Sequence, residues 1–514
     1  MKSASAITNT GGTLASPRVR RIDLRAVGWF SLLAVAGGLA VLQPVYLAAF
    51  VGAVAALGLC WWGFSRLRRA GLELWQILVL TALTGYMLLN YGFENLAIHV
   101  GGFPIIISYG LAYTALAGVI YSRRQVIAIG LKEPAVLCML ALLGLTLLHF
   151  VVDLPSYGLW AIRDATMCLD GLFMFVGMAW AMERKSVGFL SKWLLGLFVV
   201  NMFYSFTLPW AEKLWAWSPE SGVFLKVPIL GNYAGSGDWL LTGVVFCLCV
   251  GSYVIKRPGW LMLALALGQF LGIAITQVRR MYIATVVLLV ILVLIGEARK
   301  FAKLFILLPA AIAVIVLATS FGGLEISGRI GPVNLQFFKD HIRSISGAED
   351  TPGSDPQSRV IMGNEAFQHF RAHPIVGDGF GQPLTDIIDN TNGAVTRMPH
   401  DSFISYLARL GLIGFMLWIA FQFFLIKDFL RTIRRRSTFE DKHAAAFVLW
   451  AFLFYVLFMI SSLVEPLFEF PSGAVPFYFL IGFALGVMRW HLPVKRKAEE
   501  QVIVFPARTE KAYS

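Results

Sequence analysis

Apolar runs long enough to cross a bilayer recur along almost the whole chain, separated by short polar segments rich in Lys and Arg. A spanning helix needs roughly 20 mostly apolar residues. By that measure spans fall near 27–42, 43–63, 73–91, 103–121, 134–152, 165–183, 188–208, 238–255, 259–277, 280–297, 302–320, 402–426, 444–466 and 471–489. The first two are close enough to be a hairpin or one broken element, so the pattern predicts about twelve to fourteen spans. One long hydrophilic interruption breaks it. The division that follows is a polar N-terminal segment 1–26, a transmembrane bundle 27–320, a large loop 321–401, C-terminal transmembrane helices 402–489 and a tail 490–514. The predicted class is all-α, a polytopic membrane helical bundle whose large loop contains short helices.

Composition agrees with the pattern and sharpens its orientation. Hydrophobic residues make up 58% of the chain and charged residues 14%, against roughly 25% charged in soluble domains. The net charge of +13 could suggest nucleic acid, but the basic residues cluster in short loops beside spans, as the positive-inside bias requires. With the N-terminus inside, the cytoplasmic segments include RVRRIDLR, SRLRRAG, YSRRQ, MERKS, IKRPG, EARKFAK, KDFLRTIRRR and the tail beginning PVKRK. The C-terminus then also lies inside, and the 321–401 loop lies outside. No cleavage site follows the polar N-terminal segment, so the first span is read as retained. Cys60, Cys138, Cys168, Cys247 and Cys249 all fall in apolar runs without zinc spacing or a disulfide framework.

That topology makes the outward basic residues informative, because they run against the bias. Arg163 lies between the fifth and sixth spans, Arg279 and Arg280 between the ninth and tenth, and Arg329, Arg359, Arg371 and Arg397 in the long loop. Any one of them could snorkel to headgroups. Several hairpins presenting Arg on the side of the large loop would together build a basic pocket. In the loop, Asp355-Pro356 starts a helix and Pro374 stops it. At 100° per residue, Val360, Met362, Ala366, Phe367 and Phe370 surround Arg359, and His373 falls about 40° away. Arg359 is thus aimed inward, toward an anionic ligand or toward a carboxylate such as Glu465 or Glu469. Gly377-Asp378-Gly379-Phe380-Gly381 suits a tight turn with close backbone approach. Pro399-His400-Asp401-Ser402 leads into the twelfth span, which puts His400 at its outer mouth beside a carboxylate. Asp170, Glu465 and Glu469 are costly in lipid and are expected to face the bundle interior.

The succession of an S-R helix, PIVGDGFG and PHDSFISYLARLGLIG, with TQVRRMYIA at 276–284, resembles the signature region of the O-antigen ligase and Wzy-type polysaccharide polymerase superfamily. Asp401 stands where that pattern usually has Asn, and PILGNYAGSGD only partly reproduces its Asn-rich outer loop. The resemblance implies a GT-C-like glycosyltransferase of the bacterial inner membrane, working on the periplasmic face without cofactor or metal. Its donor would be an undecaprenyl-pyrophosphate-linked glycan, and its acceptor a glycan or lipid A-core. Membrane lipids and a chain-length regulator protein would be further partners, with no nucleic acid. Carried onto this sequence, the catalytic residues would be His400, Arg280 and Arg359. Arg163, Arg279, Arg371, His373, Gly377, Gly379 and Asp401 would bind substrate. The expected function is polymerisation of exopolysaccharide or O-antigen repeat units. The alternatives are ligation of the glycan to lipid A-core or protein, transport of a lipid-linked glycan, and a cell-wall polymerase of the shape, elongation and division class.

Overall fold

The computed structural model describes residues 65, 67–68, 71–100, 103–223, 226–231, 233, 235–255, 259–298, 301–302, 328–329, 331–333, 336, 339, 356–388 and 395–492. The forecast N-terminal segment, the spans at 27–42 and 43–63, nearly all of that at 302–320, most of the loop before residue 356, Asp355 and the tail beyond 492 lie outside the described residues. The chain falls into two compact units, Met1–Leu72 and Glu73–Ser514. The numbered elements below all belong to the second.

The protein is an all-α polytopic membrane bundle. Its main helices are α1 Leu74–Leu89, α2 Ile107–Ser122, α3 Pro134–Tyr157, α4 Leu159–Leu169, α5 Phe173–Ala181, α6 Ser186–Ser205, α7 Ser236–Cys249, α8 Gly259–Thr276, α9 Arg279–Leu294, α10 Pro356–Ala372, α11 Ser402–Arg434, α12 Lys442–Ser462 and α13 Pro471–Trp490. Six of them, α3, α6, α8, α11, α12 and α13, are long and apolar enough to cross a membrane. Among the described residues three antiparallel hairpins decorate the loops, and the largest pairs β1 (Ala97–Val100) with β2 (Phe103–Ile106). The first residues of the span expected at 103–121 are therefore strand, and the helix waits until Ile107.

The innermost helix is α13, apolar on every side and buried over almost its whole length. Its partner α5 comes so close that a Cβ on Gly482 would run into the Met174 carbonyl, and one on Gly177 into the Phe479 carbonyl. Small residues at such a crossing let two backbones touch, which is how helices gain packing where lipid offers no hydrophobic drive. Gly144 on α3, by contrast, has nothing within 4 Å of its would-be Cβ. We expect Gly482→Leu to lose folded protein by size-exclusion chromatography in detergent, while Gly144→Leu elutes like the wild type. Equal behaviour of the two would refute the close crossing.

Two breaks re-aim the chain. The span forecast at 165–183 is split by a 3-10 turn at Asp170–Leu172 between α4 and α5. The buried Asp170 carboxylate accepts there from the Tyr113 hydroxyl at 3.0 Å. In α11, Gly411 takes φ 61° and ψ −164°, so residues 402–410 and 412–434 are two helices meeting at a sharp kink. Only glycine adopts such a conformation readily. The freed amides of Leu412 and Ile413 are satisfied by the Pro374 and Ile375 carbonyls just past α10. The helix forecast from Ser402 therefore starts there but bends at Gly411.

The loops sort to two ends. At one, Glu73 meets Arg123 at 2.5 Å, Glu297 meets Arg436 at 2.6 Å, and Glu133 pairs with Arg489. These are the segments forecast as inside. The other end carries α10, the hairpins and the outward arginines.

Candidate functional site

The centre of that second end is Glu465, in the short connection between α12 and α13. Arg280, on the first turn of α9, places one guanidinium nitrogen 2.8 Å from Glu465 and another 2.7 Å from Asp238 on the first turn of α7. Asp238 is held in turn by the Ser461 hydroxyl at 2.6 Å. Arg359, on α10, reaches the same Glu465 at 3.7 Å and donates to the Val464 carbonyl at 3.2 Å. The His400 Nδ1 lies 3.6 Å from the other Glu465 oxygen. Three residues far apart in the chain thus converge on one carboxylate.

Arg359 differs from its expected placement in one respect. Met362 and Ala366 are the buried residues of α10, whereas Val360 and Ile361 are exposed, so Arg359 sits at the edge of the buried stripe with its side chain 49% exposed. The carboxylate reading of its partner is the one seen.

His400 owes its position to local backbone geometry. It adopts φ 53°, a left-handed conformation uncommon outside glycine. The segment after it over-determines that strain. The Asp401 carboxylate caps the helix, accepting from the Phe403 and Ile404 amides at 2.8 and 3.2 Å, and the Ser402 hydroxyl donates to the Glu465 carbonyl at 3.2 Å. Asp401, expected to bind substrate, is committed to this N-cap. The carboxylate that faces the imidazole is Glu465.

The electrostatics favour an anion. Arg329 and Arg279 lie within electrostatic reach of Arg359, and Arg329 also of Arg280 and Glu465. Among the described residues, Arg280 and Arg359 thus share Glu465, with Arg329, Arg279 and His400 close by. Burial alone would raise the Glu465 carboxyl, but Arg280, His400 and Arg359 override it and hold it down at about 2. Behind Arg280 a cavity of about 230 Å³ opens between α7 and α12. It is lined chiefly by apolar and aromatic side chains such as Trp239, Phe454, Phe458 and Phe470, with Asn90 and Tyr91 opposite. A cluster of guanidiniums beside an apolar pocket suits an amphiphile with a phosphate head.

The remaining candidates gather elsewhere. Gly377 and Gly379, at φ 81° and 80°, receive protein rather than open space. A Cβ on the first would meet the Arg409 carbonyl, and one on the second the Asp153 carboxylate. The amides of Asp378 and Gly379 donate to the Ala408 and Arg409 carbonyls, both at 2.9 Å, which locks the turn onto the α11 kink. His373 and His369 bracket Asp378 at 3.4 and 2.5 Å. Arg371 lies over the Phe367 ring at 4.9 Å and faces outward. Arg163 does not join the Glu465 cluster; it stands beside Asp164 at 3.4 Å. Asp164 is fully buried and paired with the equally buried Arg409 at 2.9 Å.

Sequence reasoning found Glu465 as a carboxylate costly in lipid and, with Glu469, as a possible partner of Arg359 alone; it missed Asp238, Asp164 and the role of Arg409. Each carries a signal: an ionisable residue at a membrane level must find a partner. Which partner requires the packed helices.

Residues 261–419 match the family model described as O-antigen ligase. That stretch contains Arg279, Arg280, Arg329, Arg359 and His400, but neither Glu465 nor Asp238. No curated protein matches the chain.

Proposed function

This chain belongs through residues 261–419 to the O-antigen ligase superfamily, and we propose that it is a GT-C-type glycosyltransferase of the bacterial inner membrane, joining undecaprenyl-pyrophosphate-linked repeat units on the periplasmic face. The observation that carries the reading is the convergence of Arg280, Arg359 and His400 around Glu465, beside an apolar cavity.

In this reading the pyrophosphate displaces Glu465 from the guanidinium forks, which suit phosphate oxygens better than an ammonium would. An acceptor hydroxyl oxygen attacks the anomeric carbon of the donor sugar, and His400 takes its proton. The new glycosidic bond forms as the bond from that carbon to the phosphate oxygen breaks. The electron pair leaves with the pyrophosphate, where Arg280 and Arg359 stabilise the developing charge. A neutral imidazole is suited to this base role, worth typically about 10²–10⁴ in rate. The apolar cavity would take the part of the donor next to the pyrophosphate.

A second reading, transfer of a finished glycan to lipid A-core or protein, is favoured by the description of the matching family. A deletion strain separates the two. Accumulated single lipid-linked units mark a polymerase, and accumulated long lipid-linked chains a ligase. Within either, His400→Gln is expected to lower transfer by about 10²–10⁴. His400→Gly, which relieves the positive φ, should be equally inactive while reaching the membrane in normal amount. Full activity of both variants, measured on gels of surface and lipid-linked glycan, would sink the site. Transport of substrate into vesicles without glycosidic bond formation would overturn the enzyme reading altogether.

A further inference from the structure

A second cationic cluster gathers on Asp164 rather than on Glu465. Asp164, on α4, is approached by three guanidiniums: Arg409 at 2.9 Å, Arg163 at 3.4 Å and Arg397 at 3.8 Å. One oxygen of Asp164 also accepts from the Gly381 amide at 3.0 Å. Arg409 is fully buried and donates to the Gly379 and Gln382 carbonyls, both at 3.3 Å, so its work is structural. Arg163 and Arg397 differ from it. Their side chains keep 18% and 16% of their exposure and lie at the accessible rim.

Both guanidiniums are oriented by Trp160. Arg397 lies over its ring at 3.9 Å and Arg163 at 5.5 Å. Such cation–π contacts hold a guanidinium plane in place without consuming its N–H donors. Arg397 donates through one Nη to the Gly381 carbonyl at 2.5 Å, and its buried Nε has no hydrogen-bond partner among the described residues. An orphaned buried donor on a cation is costly unless something anionic reaches it.

Glu469 and Glu94 both feel Arg163, but burial raises both of them, Glu94 to about 7. For Arg397, burial together with Arg409 and Arg163 pulls the guanidinium below its ordinary value despite Asp164. Mutual repulsion of this kind is relieved by a shared anion. The cluster also adjoins the reaction centre, since Arg397 stands three residues before His400 and Tyr91, on the cavity wall, is within electrostatic reach of Arg163.

We propose that Arg163 and Arg397, aligned on Trp160, form a second anion site that takes a carboxylate or phosphate group borne by the acceptor glycan. The assignment to the acceptor rests on the transferase reading; the existence of the site does not. An enzyme so built selects acidic saccharides over neutral ones, because a neutral ring offers the two guanidiniums no charge. The Arg163 and Arg397 side chains thereby set specificity, and Asp164 and Trp160 position them.

The test uses full-length protein in nanodiscs of zwitterionic lipid, with calorimetric titration of four probes: D-galacturonate, galactose 6-phosphate, neutral galactose and inorganic pyrophosphate. Wild type is expected to bind galacturonate or galactose 6-phosphate at least tenfold tighter than galactose. Arg163→Gln and Arg397→Gln are expected to erase that preference, with pyrophosphate affinity unchanged. Because Arg397 also supports the 379–382 turn, Arg163→Gln carries the test if Arg397→Gln lowers the melting temperature. Equal affinity for acidic and neutral sugars, or a preference that survives Arg163→Gln, would overturn the proposal while leaving the pyrophosphate site standing. Loss of pyrophosphate binding alone would instead count against the transferase reading. Acidic-sugar binding abolished by adding phosphatidylglycerol to the nanodiscs would assign the site to a lipid headgroup and also overturn it.

Discussion

Arg280→Gln is expected to lower glycan transfer by a factor of about 10²–10³, the loss typical when one fixed donor to developing negative charge is removed. Arg280 is the most constrained cation of the Glu465 cluster. One nitrogen faces Glu465 and another Asp238, at 2.8 and 2.7 Å, and the side chain is only 11% exposed. Glutamine keeps most of the stem volume but removes the charge and the fork. Arg280→Lys keeps the charge alone and should also be impaired, because an ammonium cannot present two parallel donors. The assay is accumulation of unjoined lipid-linked glycan in cells carrying each variant, with membrane abundance as the control for folding. The substitution leaves Asp238 and Glu465 sharing space without their common cation, so some loss of stability should accompany the loss of activity. Glu465→Gln made in the Arg280→Gln background should restore abundance but not transfer. If Arg280→Gln assembles glycan at the wild-type rate, pyrophosphate is bound elsewhere.

The largest expected effect on folding belongs to the Asp164–Arg409 pair. Both side chains are fully buried, 2.9 Å apart. Removing one partner of such a pair strands a charge in a low-dielectric interior, at a cost of about 3–5 kcal/mol. Asp164→Ala should therefore lower the thermal midpoint in detergent sharply and reduce the protein reaching the membrane. Replacing the pair together, as Asp164→Leu with Arg409→Met, should recover much of that stability, since well-packed apolar groups can substitute for a buried ion pair. The recovered protein would still be compromised near Gly381, whose amide and the Arg397 guanidinium both turn to Asp164. A single Asp164→Ala variant as stable as the wild type would show that Arg409 finds its compensation in the Gly379 and Gln382 carbonyls alone.

These two expectations mark how far the chain could be read before its packing was seen. The apolar runs placed α3, α6, α12 and α13 well, because a lipid-crossing helix satisfies its own backbone and needs only length and hydrophobicity to be recognised. Pro356 and Pro374 bounded α10, with the helix ending at Ala372. Arg280, Arg359 and His400 were singled out by sign of charge and by motif, and they stand together. Arg163 was grouped with them on the same grounds, yet it belongs to Asp164. A loop's side of the membrane is written in its composition; its neighbour within that side is not. The alternate glycines of the 377–381 turn indicate a close backbone approach, and the family resemblance turned two of them into substrate contacts. Gly377 in fact meets the kinked backbone at Arg409 and Gly411, Gly379 the Asp153 carboxylate, and Gly381 the Tyr157 side chain. Glycine spacing says that something comes near, not what.

By itself, then, the sequence determined the membrane class, the helical architecture and which loops are rich in basic residues. Those follow from local hydrophobicity and charge, which act over a turn or a span of helix. Only the tertiary structure decided that Glu465 is the carboxylate shared by Arg280, Arg359 and His400, and that Asp401 is a helix cap. It alone separated the cations into two clusters. The Arg280–Glu465 pairing joins residues 185 positions apart. Such pairings arise from which helices cross at Gly177 and Gly482, and from a single glycine that turns the His400 helix away from the span behind it.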